Sequence, residues 1–317
     1  MHRYIIKRLL LMIPVIIGVS FLVFFIMDLA PGDAVDILAP EGATAEDLEA
    51  IRHDLGLDQP VIVRYVKYMG GMLHGDMGVS YVSKTDVFDT YMEKLPATIK
   101  LSFASILVSI LLSVPLGIYS ATRQGTVQDN ISMIVAMIGL SMPNFWLGLL
   151  LIIVFSLNLG WFPSGGDQTL SSIVLPAITI GTGLMATLTR TTRSSMLDVL
   201  KQEYLRTARA KGIPEKIVIT SHALRNALIP IITIIGTQLA GVLGGSVLTE
   251  TVFAWPGVGR LIVDSLNMRD TPLVTGSIIM TTILLSIILL LVDLLYAVVD
   301  PRIKAQYVAK RVGGGRF

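Results

Sequence analysis

Long uncharged apolar stretches, separated by shorter polar ones, set the pattern of this chain. The first runs from Leu9 to Met27, nineteen residues without a charge, and a helix of about 20 apolar residues crosses the hydrocarbon of a bilayer. Five more follow at about 101–121, 131–157, 173–189, 227–248 and 273–295. The pattern predicts an all-α polytopic membrane protein with six transmembrane helices. A cleaved signal peptide is the alternative for the first stretch. Its apolar run exceeds the ~7–15 residues of such a leader, and Pro31 follows the only candidate small residue, Ala30, so the expectation is an uncleaved span.

The polar segments differ in length and in sign. Residues 29–97 carry twelve Asp and Glu against five Lys and Arg. Within them, residues 43–57 place Leu48, Ile51 and Leu55 at helical spacing, and Gly70, Gly71, Gly75 and Gly78 mark turns. A small extracytoplasmic subdomain is expected there. Segments 1–8, 122–130, 190–228 and 297–317 hold 3, 1, 8 and 5 basic residues. Lys and Arg collect on the cytoplasmic side of membrane proteins, so both termini are expected in the cytoplasm. The resulting division is 1–28 for the N-terminus and first span, 29–97 outside, a five-span core over 98–300 that includes a cytoplasmic loop at 190–228, and a tail at 301–317.

Composition agrees and narrows the chemistry. The chain of 317 residues is 53% hydrophobic and 15% charged, well under the roughly 25% charged of a soluble domain. It has no cysteine and four histidines, none at metal-ligand spacing. HExxH, GxSxG and GxxxxGK[ST] are absent, so no catalytic site, cofactor or metal is expected on this chain and any ATP belongs to another subunit. No nucleic-acid partner is expected.

Polar groups inside the spans are few. Pro143 is expected to bend the third span. Asn144, beside Ser141, either bonds neighbouring helices or faces a water-filled path, as does Gln238 in the fifth span. Gly236, Ala240 and Gly244, with Gly241 and Gly245, repeat every four residues and predict close helix packing there. Asp293 is expected in an ion pair with Arg302 or Lys304.

One segment stands apart. Glu203–Pro230 is basic and helix-prone, and it lies between the fourth and fifth spans. Glu203 opens a breaker-free run that ends at Lys211, matching the helix dipole; Gly212 and Pro214 then predict a helix, a tight turn and a second helix. Leu205, Ala208 and Gly212 share one nearly smooth face flanked by Arg206 and Arg209, suited to lying in a groove of a partner. The basic residues alone also fit a topology signal or a patch for anionic lipid.

EYLRTARAKG, with Ala208 and Gly212 at A-x-x-x-G spacing, resembles the cytoplasmic EAA loop of ABC-importer permeases. MDLAPGD (27–33), GLSMPNFWLG (139–148), HALRNALIP (222–230), TETVFAWPGVGRL (249–261) and VDPRIK (299–304) resemble the dipeptide and oligopeptide permease branch, which includes nickel and glutathione permeases. Arg206-Thr207-Ala208 replaces the usual Glu-Ala-Ala opening, a variant of that branch. The resemblance implies a permease subunit of an ATP-driven importer for peptides, or for a nickel chelate or glutathione. It also implies a heterodimer with a second homologous permease, two ATP-binding subunits that carry ATP and Mg, an extracytoplasmic binding protein, and membrane lipid around the spans.

The coupling loop would then present Glu203, Tyr204, Leu205, Arg206, Ala208, Arg209, Ala210, Lys211 and Gly212 to an ATPase. Trp255, Pro256 and Gly257 would meet the binding protein, and Ser141, Asn144 and Gln238 would line the path. On this expectation Ala208→Glu leaves the chain inserted but abolishes substrate-stimulated ATP hydrolysis by the assembled complex. An ion-coupled secondary transporter or channel is the alternative class. It would need paired charges within the spans, where only Asp293 stands. A membrane enzyme would need a nucleophile and base, or a metal cluster, in the spans.

Overall fold

Apolar stretches of this length leave backbone groups no partner but their own helix, and helices are what form. The computed structural model describes residues 2–29, 34–40 and 42–299. Among them no strand occurs, only one antiparallel bridge between Val79 and Asp86. Five helices are long and apolar enough to cross a membrane, and a sixth span is counted if one bent helix pair is a single crossing. The chain divides into two compact units, one of Met1–Ile99 with Gly244–Ile287 and one of Lys100–Leu243 with Ile288–Phe317.

The first unit contains α1 (His2–Leu29), α2 (Ala34–Leu38), α3 (Ala45–Asp54) and α4 (Val61–Leu73). It also holds the start of α5 (Val87–Thr122), then α12 (Val247–Val252), α13 (Val258–Asn267) and the start of α14 (Thr271–Val299). The polar stretch expected outside thus forms three short helices. α3 starts on a capping box, in which the Thr44 hydroxyl accepts from the Asp47 amide and the Asp47 carboxylate accepts from Thr44. These Thr44 bonds hold the Asp47 carboxyl below its ordinary value. Asp270 ties two segments together. It accepts from the Leu273 amide at the start of α14, and also from the Ser80 hydroxyl and the Tyr81 amide. Tyr91, Val258 and Met280 form a small apolar core of this unit.

The second unit is built on α8 (Val174–Leu200), with the rest of α5, α6 (Val127–Ser141) and α7 (Asn144–Leu151). It continues with α9 (Glu203–Ala210), α10 (Glu215–Ile217) and most of α11 (Leu224–Gly245). The third apolar stretch does not form one tilted helix. Pro143 lacks an amide hydrogen and drives Met142 out of helical geometry, to φ −93° and ψ 129°, and the two halves bend by 97°. The fourth helix runs three turns past Thr189, because nothing breaks it before Leu200 and Arg193 finds a partner. Arg193 makes two bonds to the buried Asp129 carboxylate, 2.8 and 2.6 Å, and the Ser120 hydroxyl donates a third at 2.5 Å. The partners expected for Asp293 lie outside the described residues.

Close packing rests on particular glycines. A Cβ at position 181 would stand 2.9 Å from the Ser105 carbonyl oxygen and 2.8 Å from a Val108 methyl, so α8 meets α5 backbone to backbone. On α11 the small residues divide. A Cβ at 236 would meet Val292 at 2.9 Å, one at 244 would meet Leu285 at 2.6 Å, and one at 241 would meet nothing within 4 Å. The surroundings of Gly245 lie outside the described residues. Replacing Gly181 by leucine should therefore destabilise the protein by about 1–3 kcal/mol through overpacking. Gly241→Ala should leave the melting temperature in detergent unchanged or raised.

Candidate functional site

The polar helix pair between the fourth and fifth spans is locked by its own sequence. α9 starts after Gln202, whose backbone is extended, and carries Glu203 in its first turn and Arg209 in its last, each favourable to the helix dipole. Leu205 and Ala208, three residues apart, share one face and are 0% and 8% exposed. They join a core of Leu188 and Met196 of α8 and Ala227 and Ile231 of α11. The helix ends in a Schellman motif. Gly212 takes φ +77°, its amide donates to the Arg209 carbonyl at 2.9 Å, and the Ile213 amide reaches back to the Ala208 carbonyl at 3.3 Å. Ile213 then packs against the same core.

Two polar links close the pair. The Arg209 guanidinium grips Glu215 with both nitrogens, at 3.0 and 2.9 Å. The Asn226 amide donates to the Tyr204 hydroxyl at 2.7 Å, and that hydroxyl donates to the His222 carbonyl at 3.4 Å. A wide helical turn, Val218–Ala223, joins α10 to α11.

This geometry corrects the face expected to dock. The smooth face of Leu205 and Ala208 points into the unit, because three- and four-residue spacing gathers the least polar positions of α9 toward its core. The outward face carries Glu203, Arg206, Thr207, Ala210 and Lys211, with Gly212 exposed just beyond. Arg209 is exposed too, but its charge is balanced by Glu215. Among the described residues, the charges of α9 left outward without such a pair are Glu203 against Arg206 and, just beyond its end, Lys211, a net positive surface on a rigid support.

The turn at Trp255, Pro256 and Gly257 is not the open surface the sequence suggested. Trp255 is 1% exposed and its indole donates to the Ala97 carbonyl at 2.9 Å. Gly257 is buried beside Glu250. The Glu250 carboxylate is itself 0% exposed and is held by the hydroxyls of Thr98 at 3.0 Å and Ser246 at 2.9 Å and the amide of Arg260 at 3.1 Å. Bulky Trp255 packs inward because its ring gains more from burial than from a wet surface, so the turn is a structural anchor.

Of the three path candidates, two converge. Asn144 starts α7 beside Gly183, and the Gln238 side-chain amide donates to the Leu184 carbonyl at 3.0 Å. Both therefore meet the same turn of α8. Ser141 is exposed, with its hydroxyl bonded to the Met137 carbonyl one turn back. Sequence reasoning missed Asp129 and Glu250. Asp129 carried a signal, since Thr126 and Asp129 have the spacing of a helix cap and Thr126 does accept from the Asp129 amide. Glu250 carried none, because its partners are the hydroxyls of Thr98 and Ser246 and the backbone amide of Arg260, which no cap or motif spacing announces.

Residues 113–305 match the family described as binding-protein-dependent transport system inner membrane component, and residues 1–102 match its N-terminal companion. The oligopeptide transport system permease protein AppB of Bacillus subtilis is 44% identical over 315 residues, covering 96% of this chain and 100% of the relative. The glutathione transport system permease protein GsiC of Escherichia coli K12 is 41% identical over 304 residues, covering 96% and 99%. A solved inward-facing MetNI methionine ABC transporter superposes at a TM-score of 0.56 with 18% identity, over 67% of this chain and 96% of that one. That likeness is one of fold.

The burial of Ala208 gives a direct test. Ala208→Glu places an unpaired charge in the core and should cost on the order of 3 kcal/mol, read as a large fall in melting temperature. Ala210→Glu, two residues on and exposed, should leave the melting temperature unchanged.

Proposed function

The chain belongs to the binding-protein-dependent transport system inner membrane component family, a multi-pass component of the cell membrane, and from that premise we propose how it works. It is the permease subunit of an ATP-driven importer and forms half of a translocation path. A second, homologous permease forms the other half. The path carries peptides delivered by an extracytoplasmic binding protein. Relatives named for oligopeptide and glutathione transport, at 44% and 41% identity, support that substrate class, and glutathione is itself a small peptide. Both termini and the loop holding α9 lie in the cytoplasm, as the Lys and Arg counts of the loops favour.

The observation that carries the mechanism is a polar helix whose inner face is sunk in the core against α8 and α11. Two ATP-binding subunits hold ATP and Mg, and one of them docks on the outer face of α9, through Arg206, Thr207, Ala210 and Lys211. A push there moves α8 and α11 directly, because Leu205 and Ala208 leave α9 no freedom to slide. Asn144 and Gln238, which meet one turn of α8, are placed to sense that movement in the path. The chain itself makes and breaks no covalent bond.

The test is charge reversal on the outer face. Arg206→Glu combined with Lys211→Glu should leave membrane insertion and melting unchanged, since both side chains are exposed. Opposing like charges across an interface costs several kcal/mol, so co-purification of the ATP-binding subunits should fall at least roughly tenfold. Full recovery of those subunits with the double variant would contradict the docking face.

A further inference from the structure

Helix α4 has its polarity turned inside out. The side chains that face the first unit include Arg64, Tyr65 and Tyr68, while the outward face shows Ile62 at 64%, Val63 at 42% and Val66 at 62% exposure. A helix lying on a water-facing surface puts its polar side outward. The one charge on the outward face, Lys67, bends back to the Gln59 side chain at 2.8 Å, as a cation does when its stem lies in oil and its head seeks a polar neighbour.

The contacts of α4 fix its depth. The Tyr65 hydroxyl donates to the Ile17 carbonyl at 3.2 Å and lies 2.9 Å from the Ser20 hydroxyl. Its ring stands edge-on to Phe21 and Phe24, with centroids 5.4 and 5.7 Å away. Arg64 pairs with Asp28, at the end of the apolar run. The apolar part of α1 spans Arg8–Leu29. Ile17 lies nine residues beyond Arg8, about 14 Å along the axis, near the middle of a hydrocarbon core about 30 Å thick. This holds whichever end of α1 is cytoplasmic. The bare face of α1 continues the same surface, with Leu22, Phe25 and Ile26 exposed at 57%, 41% and 53%.

We propose that α4 is embedded in the bilayer beside α1, with Ile62, Val63 and Val66 against lipid acyl chains. The segment after the first span therefore does not stand wholly in the aqueous phase; it dips back along α1 from the level of Asp28 to that of Ile17. Tyr65 and Arg64 face α1 because lipid would leave their polar atoms without partners.

The absence of native cysteine allows single spin labels on the full-length chain in phospholipid vesicles. Labels at Ile62→Cys and Val66→Cys are compared with Leu10→Cys on the bare face of α1 and Glu49→Cys on exposed α3, using oxygen and a water-soluble nickel chelate as relaxing agents. The ratio of oxygen to nickel accessibility at positions 62 and 66 should match position 10 and exceed position 49 several-fold. A ratio matching position 49 would place α4 in water and overturn the proposal. Protection from both agents would mean that protein covers the face, and would overturn it equally.

Discussion

Leu205 and Ala208 stand three residues apart on a helix of eight, and their burial governs what that helix does. A short polar helix on a membrane protein has little stability of its own, since helices under about 12 residues are marginal in water. α9 is held by two apolar side chains against α8 and α11, by a Schellman turn at Gly212 and by the Arg209–Glu215 pair. Each device removes a way for α9 to move independently. What remains is a rigid lever with a charged outer face, and a partner that displaces it must displace the span ends beneath it.

The same logic recurs where the apolar chain admits a carboxylate. Glu250 is fully buried and satisfied by two hydroxyls and an amide. Asp129 is buried with Arg193 and Ser120, and Asp270 holds the start of α14 and the loop at Ser80. An unpaired buried charge costs several kcal/mol, so each of these groups dictates where its partners must lie. Thr98 and Gly257 are examples. One donates to Glu250, and the other leaves the space that the same carboxylate fills, for a Cβ at 257 would stand 2.4 Å from it. In a chain with so few charges, these sites pin segments far apart in sequence.

Much of this was legible in the residues. Apolar length alone located the membrane helices, and Gly212 with Pro214 announced the turn after α9. The orientation of α9 was not legible, because smallness at Ala208 fits a groove in a partner and a close approach to α8 equally well. Only the positions of Met196, Ala227 and Ile231 decide between them. Trp255 misled for a related reason: an indole at a proline-glycine turn between two spans fits a surface for the binding protein, yet the Ala97 carbonyl, far away in sequence, offers it a buried partner. α4 misled through composition. The segment around it is acidic, and that average concealed an apolar face of Ile62, Val63 and Val66.

The direction in which α9 faces is open to direct measurement. Single cysteines placed in turn at Leu205, Arg206, Thr207, Ala208 and Ala210 of the native complex, each carrying a short photoactivatable cross-linker, report which positions touch the ATP-binding subunits. Strong cross-links to those subunits at 206, 207 and 210, and none at 205 and 208, are the predicted result. Cross-links centred on 205 and 208, or equal at all five positions, would contradict the account.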